Sequence, residues 1–388
     1  MRRHISMMLL TSIIILTILA ACSPKTQPVT PPSPAAVIPI TPASGGAPTS
    51  NLPPPTSQDA ARAKVVEAAK KEGKVNAYAY SWVGDIGLDI AKAFKERYGI
   101  TVEIVTGRGG EYIERMKTEK RIRQQVADIT EGSTVHTNNY KIEGLLVSVV
   151  DELPSLREKG VWWVEPTAMD PRDKANLTWR LIVYTPYINT KLVKPNEIPP
   201  SWKDMLEPMW KGKIGTTDPR LGSGIYQTIV VLMDQKIWDE DFIRALYRQN
   251  LHFYTSQPDA IRALARGETP LNLNAIDGDA ARFALEGSPI QAIATREGVL
   301  LTTTSVAAVG GGPNPNATRV FLNWLFSPEG QSVGGKALAT RMVRKDVPDF
   351  RPGAVQAPIT KPLVITVEQM EKAAEMFREK WFDKVVGR

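Results

Sequence analysis

Three short stretches carry polar side chains, two of them beside glycine, in a way that suits the capture of a small ligand. They are Ser81 in Tyr80-Ser81-Trp82, Arg108 in Gly107-Arg108-Gly109-Gly110-Glu111, and Ser133 with Thr134 in Glu131-Gly132-Ser133-Thr134. Glycines just ahead of a helix let backbone N–H donors approach a ligand closely, and the positive end of the helix favours negative charge. Arg108 adds a planar fork that matches a carboxylate or a phosphate; the other reading of that loop is a tight turn carrying a solvated arginine. It is not a dinucleotide fingerprint, since the final glycine is missing, and no Lys-Ser/Thr follows as in a phosphate-binding loop.

The residues needed for hydrolytic or metal chemistry are scarce. There are three histidines, His4, His136 and His252, and no His-Glu-x-x-His, so a histidine-rich metal site cannot be assembled. Ser223 sits in Leu221-Gly222-Ser223-Gly224, which lacks the glycine two positions before the serine that a nucleophile elbow needs. No catalytic residue, metal or cofactor is therefore expected, with a surface enzyme kept as the alternative and an adhesin or scaffold as a third class. The net charge of +7 is not gathered into a basic run interleaved with aromatics, which argues against nucleic acid as a partner.

The elements that must position these residues alternate. Residues 59–72 carry a helical stripe stopped by Gly73, 74–80 read as a strand, 86–98 as a helix stopped by Gly99, and 100–105 as a second strand. A third strand is expected over 126–130, ending just before Ser133-Thr134, and 179–185 reads as a buried strand. Trp162-Trp163 either stack on a ligand or fill core. Strand–helix alternation predicts an α/β fold with a parallel sheet, in which ligands sit outside the carboxyl ends of the strands; Ser81, Arg108 and Ser133 all occupy such ends. Towards the C-terminus, Asn314-Pro315 and Ser327-Pro328-Glu329 read as capped helix starts, and Thr366-Val367-Glu368-Gln369 as a capping box opening a last helix with the stripe Val367, Met370, Ala374, Phe377 and Trp381.

Cys22 is the single cysteine, so no intrachain disulfide can form. It ends Leu19-Ala20-Ala21-Cys22, after Arg2-Arg3 and an apolar run of about 15 residues, too short to span a bilayer as a helix. This pattern resembles the lipobox of bacterial lipoproteins, which implies a signal peptide over 1–21, removed in the mature protein, and a lipid on Cys22. Loss of Arg2 and Arg3 would leave a charge of +5. Residues 22–58 hold the lipidated Cys and a Pro-rich linker, ending in Pro53-Pro54-Pro55 and neighbours that cannot form a core. They read either as a semi-rigid spacer with a reach of up to about 100 Å or as a tail with no spacing role.

The body, residues 59–388, is long enough for two lobes. Its middle carries Asn189-Thr190-Lys191-Leu192-Val193, Pro200-Ser201-Trp202-Lys203-Asp204-Met205-Leu206, Trp210-Lys211-Gly212-Lys213-Ile214 and Asp218-Pro219. Asn314-Pro315-Asn316-Ala317 and Phe321-Leu322-Asn323-Trp324-Leu325-Phe326-Ser327-Pro328-Glu329-Gly330-Gln331 follow. In this order these motifs resemble the extracellular solute-binding proteins of bacterial ABC importers, of the ferric-iron, polyamine and phosphonate type. The resemblance implies a two-lobed, type II periplasmic-binding-protein-like α/β fold with the ligand cleft between the lobes. It places lobe 1 at about 59–176 and 293–341, and lobe 2 at about 177–292 plus the C-terminal helix. It implies a small-molecule ligand held by Ser81, Arg108, Gly109, Gly110, Ser133 and Thr134 from one lobe. From the other would come Ser223, Gly224 and Tyr226 in the stretch 222–226, and Asp277 after Asn274. It further implies a monomer that hands its ligand to a permease in the cytoplasmic membrane. Ferric binders of this type use adjacent tyrosines in the second lobe; here ten tyrosines include no Tyr-Tyr pair, so a small organic anion or zwitterion is expected. Iron and polyamine remain alternatives.

Overall fold

The alternation of β-rich and helical stretches becomes a sheet flanked by helices. A computed structural model describes residues 57–107, 109–221, 224–357, 359 and 361–387. Cys22, the linker, Arg108 and Ser223 fall outside the described residues. Residues 55–388 form one compact unit. Its chain begins α1 (Ser57–Glu72), β1 (Lys74–Ala79), α2 (Asp85–Tyr98), β2 (Thr101–Thr106), α3 (Gly109–Arg121), β3 (Ile129–Ser133), α4 (Thr134–Ile142), β4 (Leu146–Val147) and the long β5 (Leu177–Asn189). Next are β6 (Ile214–Thr217), α5 (Gly224–Asp234), α6 (Glu240–Tyr247), β7 (His252–Tyr254), α7 (Gln257–Arg266), β8 (Leu271–Ile276), α8 (Asp277–Leu285) and β9 (Ile290–Ala292). The chain then returns through β10 (Val299–Val309), α9 (Pro315–Leu325), α10 (Pro328–Leu338), β11 (Arg341–Met342), β12 (Pro362–Val364), α11 (Val367–Arg378) and α12 (Trp381–Val386).

The main path of the sheet runs β2-β1-β3-β10-β5-β8-β6-β7. β1 pairs in parallel with β2 and β3, and β6 in parallel with β7 and β8. Between these flanks run β5 and β10, antiparallel to each other and the longest strands among the described residues. Gly99 closes α2 in the left-handed conformation, its N–H returning to Lys95 O at 2.8 Å, as the glycine stop predicts.

The two largest of four apolar clusters among the described residues sit along this sheet. Phe94, Phe321, Trp324, Trp82 and Trp179 centre the first; Trp202, Trp238, Ile229, Ile243 and Phe382 belong to the second. β5 serves both, because successive side chains of a strand point to opposite faces. Trp179, Leu181 and Val183 enter the first core, while Ile182 and Tyr184 pack with the second.

Four details depart from the sequence reading. The third strand begins at Ile129, because the Val126 N–H is taken by the Glu119 carboxylate at 3.0 Å, and it continues through Ser133. Asn314 precedes Pro315 as expected, yet its side chain does not cap α9; the amide donates to Asp128 at 2.9 Å. The capping box at Thr366 and Gln369 forms, but the stripe assigned to one helix is divided, with Lys380 at φ 54° separating α11 from α12. Of the paired tryptophans, Trp162 is buried against Phe326, and Trp163 is 48% exposed with Arg341 over its ring.

Candidate functional site

The three parallel strands of the first flank end together and deliver the predicted polar loops to one place. After β1, Ser81 donates its N–H and its hydroxyl to the two carboxylate oxygens of Glu131, at 2.9 and 2.7 Å. Glu131 is buried at the end of β3. Two residues on, the Ser133 hydroxyl caps α4 by accepting from the His136 N–H at 3.4 Å, and it lies 2.9 Å from His136 Nδ1. The imidazole ring covers Gly109, where a Cβ would come within 2.4–2.8 Å of ring atoms, so only glycine fits at the start of α3. Tyr140 of α4 fixes the same turn by donating its hydroxyl to Gly109 O at 2.7 Å. The N-termini of α3 and α4 thus converge, with Gly110 exposed beside them.

The crossing strands carry this site towards the second flank. Thr304 of β10 is in register with Ser133 on one side and with Arg180 of β5 on the other. With neighbouring strands about 4.8 Å apart, this puts Arg180 roughly 10 Å from Ser133 across the sheet. Arg180 shares a face of β5 with Ile182 and Tyr184. Its Nε is buried without a hydrogen-bond partner, and no ion pair joins its guanidinium to a described residue. Burial pulls the guanidinium below its ordinary value, against the stabilising fields of Glu131, Asp277 and Asp279. Asp279, in the first turn of α8, is partly buried; burial pushes its carboxyl up, opposed by Arg282 and Arg180. Burial, then Asp279 and Tyr80, push the Tyr184 phenol well up. The result is a site with a half-buried cation at its centre, carboxylate and phenol oxygens around it, and the starts of two helices on one side.

The remaining predicted residues lie elsewhere or are already engaged. Thr134 is fully buried, its hydroxyl 2.7 Å from Thr303 Oγ1 and 2.9 Å from Ser305 Oγ, fastening α4 to β10. Asp277 is also fully buried; one oxygen accepts the N–H groups of Val183 and Gly278, and the other takes Arg351. Tyr226 lies in the second core between Phe377 and Trp381, its hydroxyl accepting the Phe382 N–H at 3.3 Å. These three are supports of the fold. Gly224 opens α5. The residues that sequence reasoning passed over are Glu131, Arg180 and Asp279. The signal for Arg180 was available: a charge inside the apolar run Trp179-Arg180-Leu181-Ile182-Val183 is the exceptional residue of a buried strand.

Among the described residues, no group of three or more His, Cys, Asp or Glu converges closely enough to hold a metal ion, and no helix is long and apolar enough to cross a membrane. A family model for bacterial extracellular solute-binding proteins matches residues 89–362. An uncharacterized protein of Haemophilus influenzae is 23% identical over 254 residues, 63% of this chain and 70% of its own length. Among solved structures, AfuA from Actinobacillus pleuropneumoniae, a periplasmic binding protein with fructose-6-phosphate bound, aligns with TM-score 0.60 and 20% identity, covering 81% of this chain and 98% of its own. Iron-bound HitA from Pseudomonas aeruginosa gives 0.63 and 20%, with 79% and 98% covered. The Trichodesmium protein FutA, in complex with iron and citrate, gives 0.64 and 19%, with 81% and 99% covered. The fold is therefore that of the type II periplasmic binding proteins, and the chain belongs to the family of bacterial extracellular solute-binding proteins, the capture components of ABC importers.

Proposed function

We propose that this protein captures a small organic anion or zwitterion, such as a phosphonate, phosphate ester or carboxylate, and delivers it to a permease while tethered through a lipid on Cys22. The observation that carries the ligand class is Arg180. A guanidinium whose Nε is buried without a partner leaves an unmet demand for an anionic acceptor, which a ligand carboxylate or phosphate would meet. On this reading lobe 1 comprises about 59–176 and 293–341, and lobe 2 about 177–292 with the C-terminal helices. The ligand is clamped between Ser81, residues 108–110 and Ser133 on one side and residues 223–224 and Asp279 on the other, with Arg180 at the crossing. Carboxylates at Glu131 and Asp279 suit a second, cationic end, which favours a zwitterion. The fructose-6-phosphate in the AfuA structure is an anion of the proposed kind.

Ferric iron is the second reading, favoured by the iron in the HitA and FutA structures. Oxygen donors are present here, with Asp279 acting on Tyr184 and both Glu131 and Asp279 acting on Arg180, but the stretch before α8 reads Asn274-Ala275-Ile276 with no paired tyrosines. Calorimetry of the body against 2-aminoethylphosphonate, simple carboxylates, ferric citrate and spermidine separates the readings. Binding of an organic anion, recovered chemically unchanged, is expected. Tight iron binding with a tyrosinate charge-transfer band, binding of spermidine alone, or turnover of a bound compound would overturn it.

A further inference from the structure

β7 is the last strand on the second flank of the sheet, and a basic surface runs alongside it. The turn at 211–213 and the loop at 248–252 are joined, since the Gly212 N–H donates to Gln249 O at 2.6 Å and His252 Nε2 lies 2.9 Å from Gly212 O. Lys211, Lys213 and Arg248 project from this junction, exposed and without an ion pair among the described residues. Arg220 stands 5.3 Å from the centre of the Phe253 ring, with Asp218 as its partner. Lys211, Arg220 and Arg248 share one concave surface with Tyr247, Leu251 and Phe253. Flanking it in sequence are Met209, 40% exposed, and Leu221, 60% exposed.

This surface sets exposed lysine and arginine beside half-buried aromatic rings and exposed apolar side chains. It has the make-up of a surface that lies against lipid headgroups. Lysine and arginine attract anionic phosphates, aromatic rings suit the headgroup level, and unbranched or γ-branched apolar side chains enter the acyl boundary. We propose that this face of the second lobe docks the body on an anionic phospholipid surface. The attraction is independent of Cys22 and of the ligand site. It would hold the body down against the membrane despite a long linker, and so raise its effective concentration at a membrane partner.

The test uses residues 55–388, the compact unit that holds every described strand and apolar cluster, so that neither the signal peptide nor a lipid contributes. Sedimentation is measured with vesicles of phosphatidylcholine alone and with added phosphatidylglycerol. Partitioning at least about tenfold stronger on the anionic vesicles, weakening as salt rises, is expected. Lys211→Glu with Arg248→Glu should bring it down to the neutral-vesicle level, and Met209→Ser with Leu221→Ser should lower it severalfold. All four positions are exposed, so an unchanged melting temperature checks the fold. Equal partitioning on both vesicle types, binding indifferent to salt, or charge-reversed protein that still binds would each overturn the proposal.

Discussion

A half-buried guanidinium whose buried Nε has no hydrogen-bond partner is a cost in the unliganded fold, and Arg180 therefore allows ligand binding and stability to be separated. Replacing it with methionine removes the charge while keeping an unbranched stem as far as the Nε position. The apo melting temperature should stay level or rise, whereas affinity for the organic anion should fall by one to two decades, the loss of a charge-assisted fork contributing about 1.5–3 kcal/mol. Calorimetry and a melting curve on the same sample check both halves, and an unchanged affinity would remove Arg180 from the site. Asp279 gives the complementary prediction. Burial raises its carboxyl pKa, so it gains a proton as pH falls towards and through that raised value, before an ordinary aspartate would. Protonation removes a negative charge that competes with the ligand for Arg180. Affinity for an anion with no cationic end, such as a simple carboxylate, should therefore increase on mild acidification, and Asp279→Asn should bind it more tightly at neutral pH and lose that dependence, whereas a zwitterion whose cationic end meets Asp279 should bind Asp279→Asn more weakly, as an affinity series across pH with both ligands would show.

At the scale of elements, α8 depends on a buried ion pair at its first residue. Asp277 and Arg351 face each other with both side chains wholly buried, and Asp349 holds the other side of the guanidinium at 2.6 Å. Since Asp277 also accepts the Val183 N–H, this pair ties β5, α8 and the segment after β11 into one block. Arg351→Ala would leave a buried carboxylate uncompensated and should cost roughly 3–5 kcal/mol, read as a lower denaturant midpoint with an unchanged slope. That block also shows what the sequence could and could not yield. Strand ends at Ser81 and Ser133, the glycine stop at Gly99 and the capping box at Thr366 were legible because each depends on residues within a few positions. In the sequence Asp277 reads as a ligand contact, because a carboxylate beside glycine after a strand looks the same whether it meets solvent or an arginine 74 residues later. Thr134 and Tyr226 read the same way, since their partners Ser305 and Phe382 lie 171 and 156 residues away. Arg180 needed no distant partner to be noticed, only attention to a charge in an apolar strand.

For the whole molecule, the proposal is that a lipid on Cys22 holds the body at a membrane, and the sequence before the body supports it. Leu19-Ala20-Ala21-Cys22 follows an apolar run and precedes a proline-rich linker, an order with a purpose if Cys22 is the attachment point. A single acyl chain anchors only marginally, whereas a diacylglycerol thioether supplies two, enough for stable retention. The surface beside β7 would then act on a body already tethered, turning a weak electrostatic attraction into an intramolecular one. Cys22→Ser, expressed in a bacterial host with the complete chain, should abolish lipid labelling and block cleavage before residue 22, and the accumulated protein should carry its uncleaved leader. Mass spectrometry of the N-terminus and metabolic labelling with an alkyne fatty acid provide the measurement. Should the serine variant be processed at the same bond and remain as firmly membrane-bound as the parent, Cys22 is not the anchor, and attachment must be sought in the body itself. The double charge reversal Lys211→Glu with Arg248→Glu then tells which, because in an unlipidated chain it would release the protein only if the basic face were holding it.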